Sequence, residues 1–235
     1  MKSIALLVSV NYNDYLEFLL PMNIKQFDKI IVLTVKSDKK CIEICKKYKK
    51  VKCGVYDDSI LKYNQRKFNK GKLLNQGLAF LDKINYNGIL TLTDADVMFP
   101  TNYKYLVNCV NSWKRKMYSL RRYDATDKYK LIEYCKTKDH KKLNFYPHMW
   151  VGYCQIFQYH PNHLRFHENC DADTYDMRFL KDFEKKYKSL SETSYDKKIT
   201  GFESGIFDYL SCEDYVVHLG TPSKNHKGRV TEKFF

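Results

Sequence analysis

Continuous apolar, β-branched runs at residues 4–10, 29–35 and 89–93 narrow the folds open to this chain more than any other feature. Each lacks the polar alternation of a half-exposed strand, which is the pattern of strands covered on both faces. Between them the spacing turns helical. Residues 15–26 carry Tyr15, Leu16, Leu19 and Leu20, with Asp14 as a candidate cap and Pro21 expected to kink or break the helix. Residues 39–49 set Cys41, Ile44, Cys45 and Tyr48 on one face, behind the capping pair Ser37-Asp38. Residues 51–55 read as a third, shorter strand, and residues 67–72 open a further helix lined by Leu74, Leu78 and Leu81. Strand and helix alternate from the start, so the expected class is α/β: a mostly parallel, Rossmann-like central sheet flanked by helices.

The run from Ile89 ends in Asp94-Ala-Asp96, and Pro100 stops the segment. In an extended backbone residues two apart point to the same side, so these carboxylates are expected to converge at the carboxyl end of a buried strand. Two adjacent acids repel and resist desolvation unless a shared proton or a cation relieves them. A hard divalent ion with open positions for phosphate oxygens is one answer, and a turn with two solvated acids is the other. Asn11 and Asp38 also fall at or just after strand ends, the edge where open α/β sheets bind ligands.

At 235 residues, with 44% hydrophobic side chains, the chain suits one domain with a real core. Lys+Arg 41 against Asp+Glu 27 gives +14, a field that favours nucleotides, nucleic acid, acidic glycans or peripheral contact with anionic surfaces. Runs such as Lys46-Lys47-Tyr48-Lys49-Lys50 also fit plain solvated helix faces. The 8 cysteines show no zinc-type pairing and read as reduced thiols, which together with the absence of a transmembrane-length run points to a soluble, cytoplasmic protein. The apolar start is followed by Asn11-Tyr-Asn-Asp14 without a small-residue cleavage pattern, so a first strand explains it better than a signal peptide.

Past Pro100 the pattern loosens. Residues 103–113 look helical, and residues 117–120 and 154–159 look like strands. Residues 137–142 read as a charged, mobile loop, and the helix after Asp176 runs through Phe179, Leu180 and Phe183. Residues 184–198 are polar, with disorder expected in part. Residues 216–220 form a short strand carrying His218, with a basic tail at 224–229.

Taken in order, Asp38, Phe68-Asn-Lys-Gly-Lys72 with Asn75, Thr93-Asp-Ala-Asp96, residues 152–157, Asp176-Met-Arg-Phe179, His218-Leu-Gly220 and residues 225–229 resemble the nucleotide-sugar-dependent glycosyltransferases of the GT-A fold. The likeness is to the family 2 type and spans nearly the whole chain. It implies a single GT-A domain, with residues 1–100 as nucleotide-binding half and 101–235 as acceptor-binding half. It implies Mn²⁺ or Mg²⁺ held by Asp94, Asp96 and His218, bridging the diphosphate of a nucleoside-diphosphate sugar, by family frequency a UDP-sugar. Asp94 would also touch the donor ribose, and Asn11, Asp38, Lys72 and Arg229 would line the donor. Asp176 matches the acceptor-side base of an inverting enzyme, with Asp173 and Asp171 as runners-up; the acceptor would be a hydroxyl on a glycan or protein. His226 departs from the tryptophan that relatives often carry there, which weakens the comparison of the tail.

The residues alone leave alternatives open. His218 also fits a core histidine, Asp38 a helix cap, Lys72 an exposed lysine beside a cap at Asn69, and Asp176 an N-cap. A nucleic-acid-binding or Mg²⁺-dependent nuclease-like protein would use the same acids and basic surface, although the resemblance argues against nucleic acid as a partner. A GT-A-shaped binding module without turnover is the third reading.

Overall fold

The computed structural model describes residues 2–62, 68–110, 116–146, 153–168, 175–187, 207–210 and 214–220. The amino-terminal part runs β1 (Ser3–Val8), α1 (Asn13–Asn23), β2 (Lys29–Val35), α2 (Lys39–Lys46) and β3 (Val51–Tyr56). A 3-10 turn (Asp58–Leu61) precedes α3 (Lys70–Lys83), β4 (Gly88–Asp94), β5 (Val97–Met98) and α4 (Tyr103–Cys109). Then come β6 (Met117–Ser119), β7 (Arg121–Ala125), α5 (Lys128–Thr137), a 3-10 turn (His140–Lys142), β8 (Asn144–Tyr146) and β9 (Cys154–Tyr159). The described elements close with α6 (Tyr175–Tyr187), β10 (Phe207–Tyr209) and β11 (Tyr215–Leu219).

The main sheet has 7 strands in the order β3-β2-β1-β4-β9-β6-β10, and β9 alone runs against its neighbours. The expected α/β class with a mostly parallel central sheet is therefore what the chain has. Its pattern explains the unbroken apolar runs. Along β1, Ile4, Leu6 and Val8 join the core under α3 and α6, while Ala5 and Leu7 join the core under α1, α2 and α4. Both faces are covered, so neither can be polar. The helix α3 lies so close to the sheet that a Cβ on Gly77 would sit 2.6 Å from a Leu6 methyl.

Beyond the main sheet, a second sheet of 4 strands runs β5-β11-β7-β8. It encloses a smaller core in which Tyr15 and Leu19 of α1 meet Met98, Ala125, Leu131, Val217 and Leu219.

Several local expectations needed correction, among them the helix expected over 103–113, which ends at Cys109. The first strand stops at Val8, two residues early. The helix α1 is neither capped by Asp14 nor broken by Pro21: it starts at Asn13, runs to Asn23 and contains Pro21. Proline forfeits one intrahelical bond, but only two residues follow it, and the Ile24 N–H still reaches the Leu20 carbonyl at 3.0 Å. The helix α2 ends at Lys46, although Tyr48 keeps its place against the core. Residues 137–142 are not a loop throughout, because Thr137 closes α5 and His140–Lys142 form a 3-10 turn.

Candidate active site

The strand order 3-2-1-4 reverses direction between β1 and β4, and ligands of open α/β sheets bind beyond the carboxyl ends at such a point. Val8 and Asp94 are register partners there. What lies just past them is the candidate site.

On the β1 side, Asn11 takes a left-handed conformation, φ 63°, which asparagine tolerates better than most residues. Its N–H donates to Asp38 Oδ2 at 2.8 Å, and the Asn13 side-chain amide donates to Asp38 Oδ1 at 3.1 Å. The same Oδ1 accepts from the Cys41 N–H at 3.2 Å, so Asp38 caps α2 and is buried. Both carboxylate oxygens are engaged within the chain. The geometry thus fills the capping role and ties the α2 start to the β1–α1 loop that carries Asn11.

On the β4 side the extended backbone ends earlier than the Asp-x-Asp spacing requires. Asp94 closes β4, Ala95 and Asp96 form a turn, and the chain resumes as β5. Same-side convergence along a strand is therefore corrected, because the two acids are presented by a strand end and a turn. Asp94 pairs with the Lys70 ammonium from the first residue of α3. Asp96 is buried and faces β11: its Oδ2 lies 3.4 Å from His218 Nε2. Both acids still act on one place, since each pushes the Tyr12 phenol pKa upward, after burial, while Lys70 pulls it down.

The second sheet brings His218 here. On β11, His218 pairs in register with Val97 of β5 and Asp124 of β7, and the Asp96 carbonyl accepts the Leu219 N–H at 2.8 Å. Asn23 of α1 anchors β5 from behind, donating to the Val97 carbonyl at 2.7 Å and accepting from the Phe99 N–H at 3.0 Å. Gly220 follows with φ 100°, where a Cβ would lie 2.8 Å from the Tyr15 hydroxyl.

Behind His218 stands a pair that sequence reading missed. Arg122 Nε donates to Asp124 Oδ1 at 2.7 Å, and both side chains are buried. His218 Nδ1 lies 3.1 Å from that same oxygen and 3.0 Å from Arg122 Nη2. The guanidinium also packs on the Tyr146 ring, 4.2 Å from its centroid. Burial disfavours the imidazolium and Arg122 opposes it, but Asp96 and Asp124 outweigh both and push the His218 pKa to about 8. Burial works to raise the Asp96 pKa, and the His218 and Arg122 charges bring it below the ordinary carboxylate value.

Whether this set suits a divalent cation turns on Asp96. Its Oδ1 is buried and accepts no hydrogen bond among the described residues. A buried carboxylate oxygen without a donor is costly unless a cation meets it. His218 Nε2 faces the same carboxylate, and Asp124 behind Nδ1 is the outer partner that orients ligating imidazoles. No group of three His, Cys, Asp or Glu side chains forms a ready cage among the described residues. Mg²⁺-type sites are commonly built from one or two carboxylates and completed by phosphate oxygens, so the donor set fits an ion that arrives with its ligand.

The remaining expected residues are placed as follows. Lys72 lies in the first turn of α3, where its N–H donates to the Asn69 cap at 2.9 Å; Lys70, not Lys72, is the lysine that reaches the acids. The Asn69 and Asn75 side chains donate to the Glu168 and Phe166 carbonyls at 2.6 and 2.9 Å, pinning that segment to α3. Asp176 is buried in the first turn of α6, at helical spacing from Phe179, Leu180 and Phe183, on the face packed into the core. Arg229, Asp171, Asp173 and the tail at 224–229 lie outside the described residues.

Fold and site together define an α/β domain with the strand order of mononucleotide-binding halves and a charged cluster at its switch point. No family model and no curated protein matches the sequence. Among solved structures, the chain is similar to glucosyl-3-phosphoglycerate synthase from Mycobacterium tuberculosis in complex with Mn²⁺, uridine diphosphate and phosphoglyceric acid, at 11% identity and TM-score 0.43, covering 94% of this chain and 72% of that one. It is similar to a galactosyltransferase in complex with donor and acceptor sugar analogues, at 11% identity and TM-score 0.42, covering 93% and 87%. A third is 4-diphosphocytidyl-2C-methyl-D-erythritol synthase from Anaerococcus prevotii, at 16% identity and TM-score 0.41, covering 99% and 94%. Overlaps this loose carry no functional conclusion. No helix among the described residues is long and apolar enough to cross a membrane.

Proposed function

We propose that the chain is a GT-A-type glycosyltransferase that moves a sugar from a nucleoside-diphosphate sugar, by expectation a UDP-sugar, to a hydroxyl of a glycan or protein. The observation that carries this reading is the buried Asp96 Oδ1, without a hydrogen-bond donor among the described residues, beside His218 at the sheet's switch point. Asp94, Asp96 and His218 would hold Mn²⁺ or Mg²⁺, which when bound offsets the negative charge that builds on a departing diphosphate. Lys70, at the amino end of α3, would face the same diphosphate, where the helix dipole already favours anions. Asn11 would meet the nucleoside from its left-handed turn, and Asp38 would act by fixing that turn. Lys72 and Arg229 are assigned supporting contacts to the donor. Residues 1–100 would then serve the donor and 101–235 the acceptor.

Asp176 is the proposed acceptor-side base of an inverting reaction. That assignment rests on the resemblance, since Asp176 sits on the core-packed face of α6. The test is nucleotide release from a panel of UDP- and GDP-sugars with and without Mn²⁺, alongside calorimetry of Mn²⁺ and UDP on Asp96→Ala. The expected result is metal-dependent release and loss of both binding events in the variant. Wild-type UDP affinity in Asp96→Ala refutes the metal assignment, and no release from any donor refutes the activity.

A further inference from the structure

At the opposite, amino-terminal end of the main sheet lies a cleft of about 940 Å³. It is separated from Asp94 by the length of β1, about 20 Å for six extended residues. Lys2, Lys29 and Lys104 line it, with Asp28 as the one acid among the described residues. That acid does not cancel the lysines. Asp28 Oδ1 accepts from the Lys104 ammonium at 2.7 Å and Oδ2 from the Ser3 N–H at 2.9 Å, which, against the effect of burial, keep its pKa low and its charge spent.

Lys2 and Lys29 are left. Lys29 is the register partner of Ile4 across the β1–β2 pair, and Lys2 precedes Ile4 by two residues, so both stems rise on the Ile4 face. One strand spacing and two residue rises put their Cα atoms roughly 8 Å apart. Two ammonium groups on that base can grip neighbouring anionic substituents of a single ligand. On the β4 side of Lys2 stands Tyr86, whose hydroxyl donates to the Lys2 or Ile89 carbonyl at 3.0 and 2.8 Å. Asn85, in a left-handed turn of φ 49°, and Asn87 add amide groups to the rim. Such a volume lies within the range of small-molecule sites and far exceeds one phosphate, while a concave cleft cannot seat on a flat membrane.

We propose that this cleft is a second binding site for an anionic oligosaccharide, with Lys2 and Lys29 reading its sulfate, phosphate or carboxylate groups and the asparagines its hydroxyls. The site is independent of the chemistry assigned to the other end of the sheet. The test is calorimetry of the full chain with a sulfated heparin hexasaccharide at about 0.05 M salt, where surface charges are weakly screened. Uncharged maltohexaose and inorganic pyrophosphate serve as the other probes. Lys2→Gln/Lys29→Gln should weaken the hexasaccharide about tenfold, while Lys36→Gln/Lys62→Gln, beyond the carboxyl ends of β2 and β3, changes it less than about twofold. Maltohexaose should not bind, and pyrophosphate should bind more weakly than the hexasaccharide. Equal loss in both double variants, no hexasaccharide binding, or pyrophosphate affinity matching the hexasaccharide overturns the proposal.

Discussion

Removing the carboxylate of Asp124 should reveal what holds the second sheet to the first. Asp124 is 2% exposed and is the shared anion for Arg122, itself 7% exposed, and for His218. Asp124→Ala leaves a guanidinium buried against the Tyr146 and Tyr153 rings without its carboxylate, and an imidazole without its Nδ1 partner. Breaking a buried pair from one side typically costs about 3–5 kcal/mol, because the surviving charge stays desolvated. With a urea m-value of about 3 kcal/mol/M, the midpoint should fall by about 1–1.7 M. Arg122→Met removes the orphaned charge, so the double variant Asp124→Ala/Arg122→Met should recover about half of the loss or more. Equilibrium urea unfolding followed by circular dichroism reads all three variants. A loss below about 1 kcal/mol in Asp124→Ala, or simple additivity in the double variant, would refute the argument that this pair is a desolvated unit.

Further tests reach other parts of the chain. His163 is buried against Phe157, Tyr159 and Phe183, and burial, reinforced by nearby Lys186, His160 and Arg165, lowers its pKa to about 3. A histidine that folds neutral lets the unfolded chain bind a proton first. Its contribution is therefore full above about pH 6.5 and drains as pH falls toward the folded value; between pH 7 and pH 5 it should cost about 2 kcal/mol, a loss that His163→Leu abolishes in paired urea titrations. Asn23→Ala strips a donor and an acceptor from the β5 backbone and should cost about 3 kcal/mol while weakening Mn²⁺ binding, measured by unfolding and calorimetry side by side. If Lys70 faces the diphosphate, Lys70→Ala should lower kcat/KM about 100-fold, and Lys72→Ala less than about fivefold, in the nucleotide-release assay; the reverse ranking removes Lys70 from the proposed role.

How much of this was legible in the sequence follows from how local each contact is. The 3-2-1-4 half could be read because β1, β2 and β4 are apolar on both faces and two of its helices carry their own caps, at Asp38 for α2 and Asn69 for α3. These signals lie within a few residues of what they determine. The second sheet had no such signal. Its central strand, β11, pairs with β5 and β7, about a hundred residues earlier in the chain, and β5 has only two residues, too few for any period to register. One trace was present: Arg122 and Asp124 sit two apart on a strand, hence on one face, where opposite charges without solvent imply a buried pair and a third partner. That trace would have identified the support of His218 before its role. The same reasoning explains why the Asp-x-Asp spacing misled locally and still led to the candidate site. Asp96 needed to leave the strand so that its carbonyl could accept the Leu219 N–H, and that bond sets the His218 ring against its carboxylate. A continuous strand through Asp96 would align the two acids and lose the histidine. The turn at Ala95 is therefore the structural condition for a site assembled from two sheets, and only long-range pairing could disclose it.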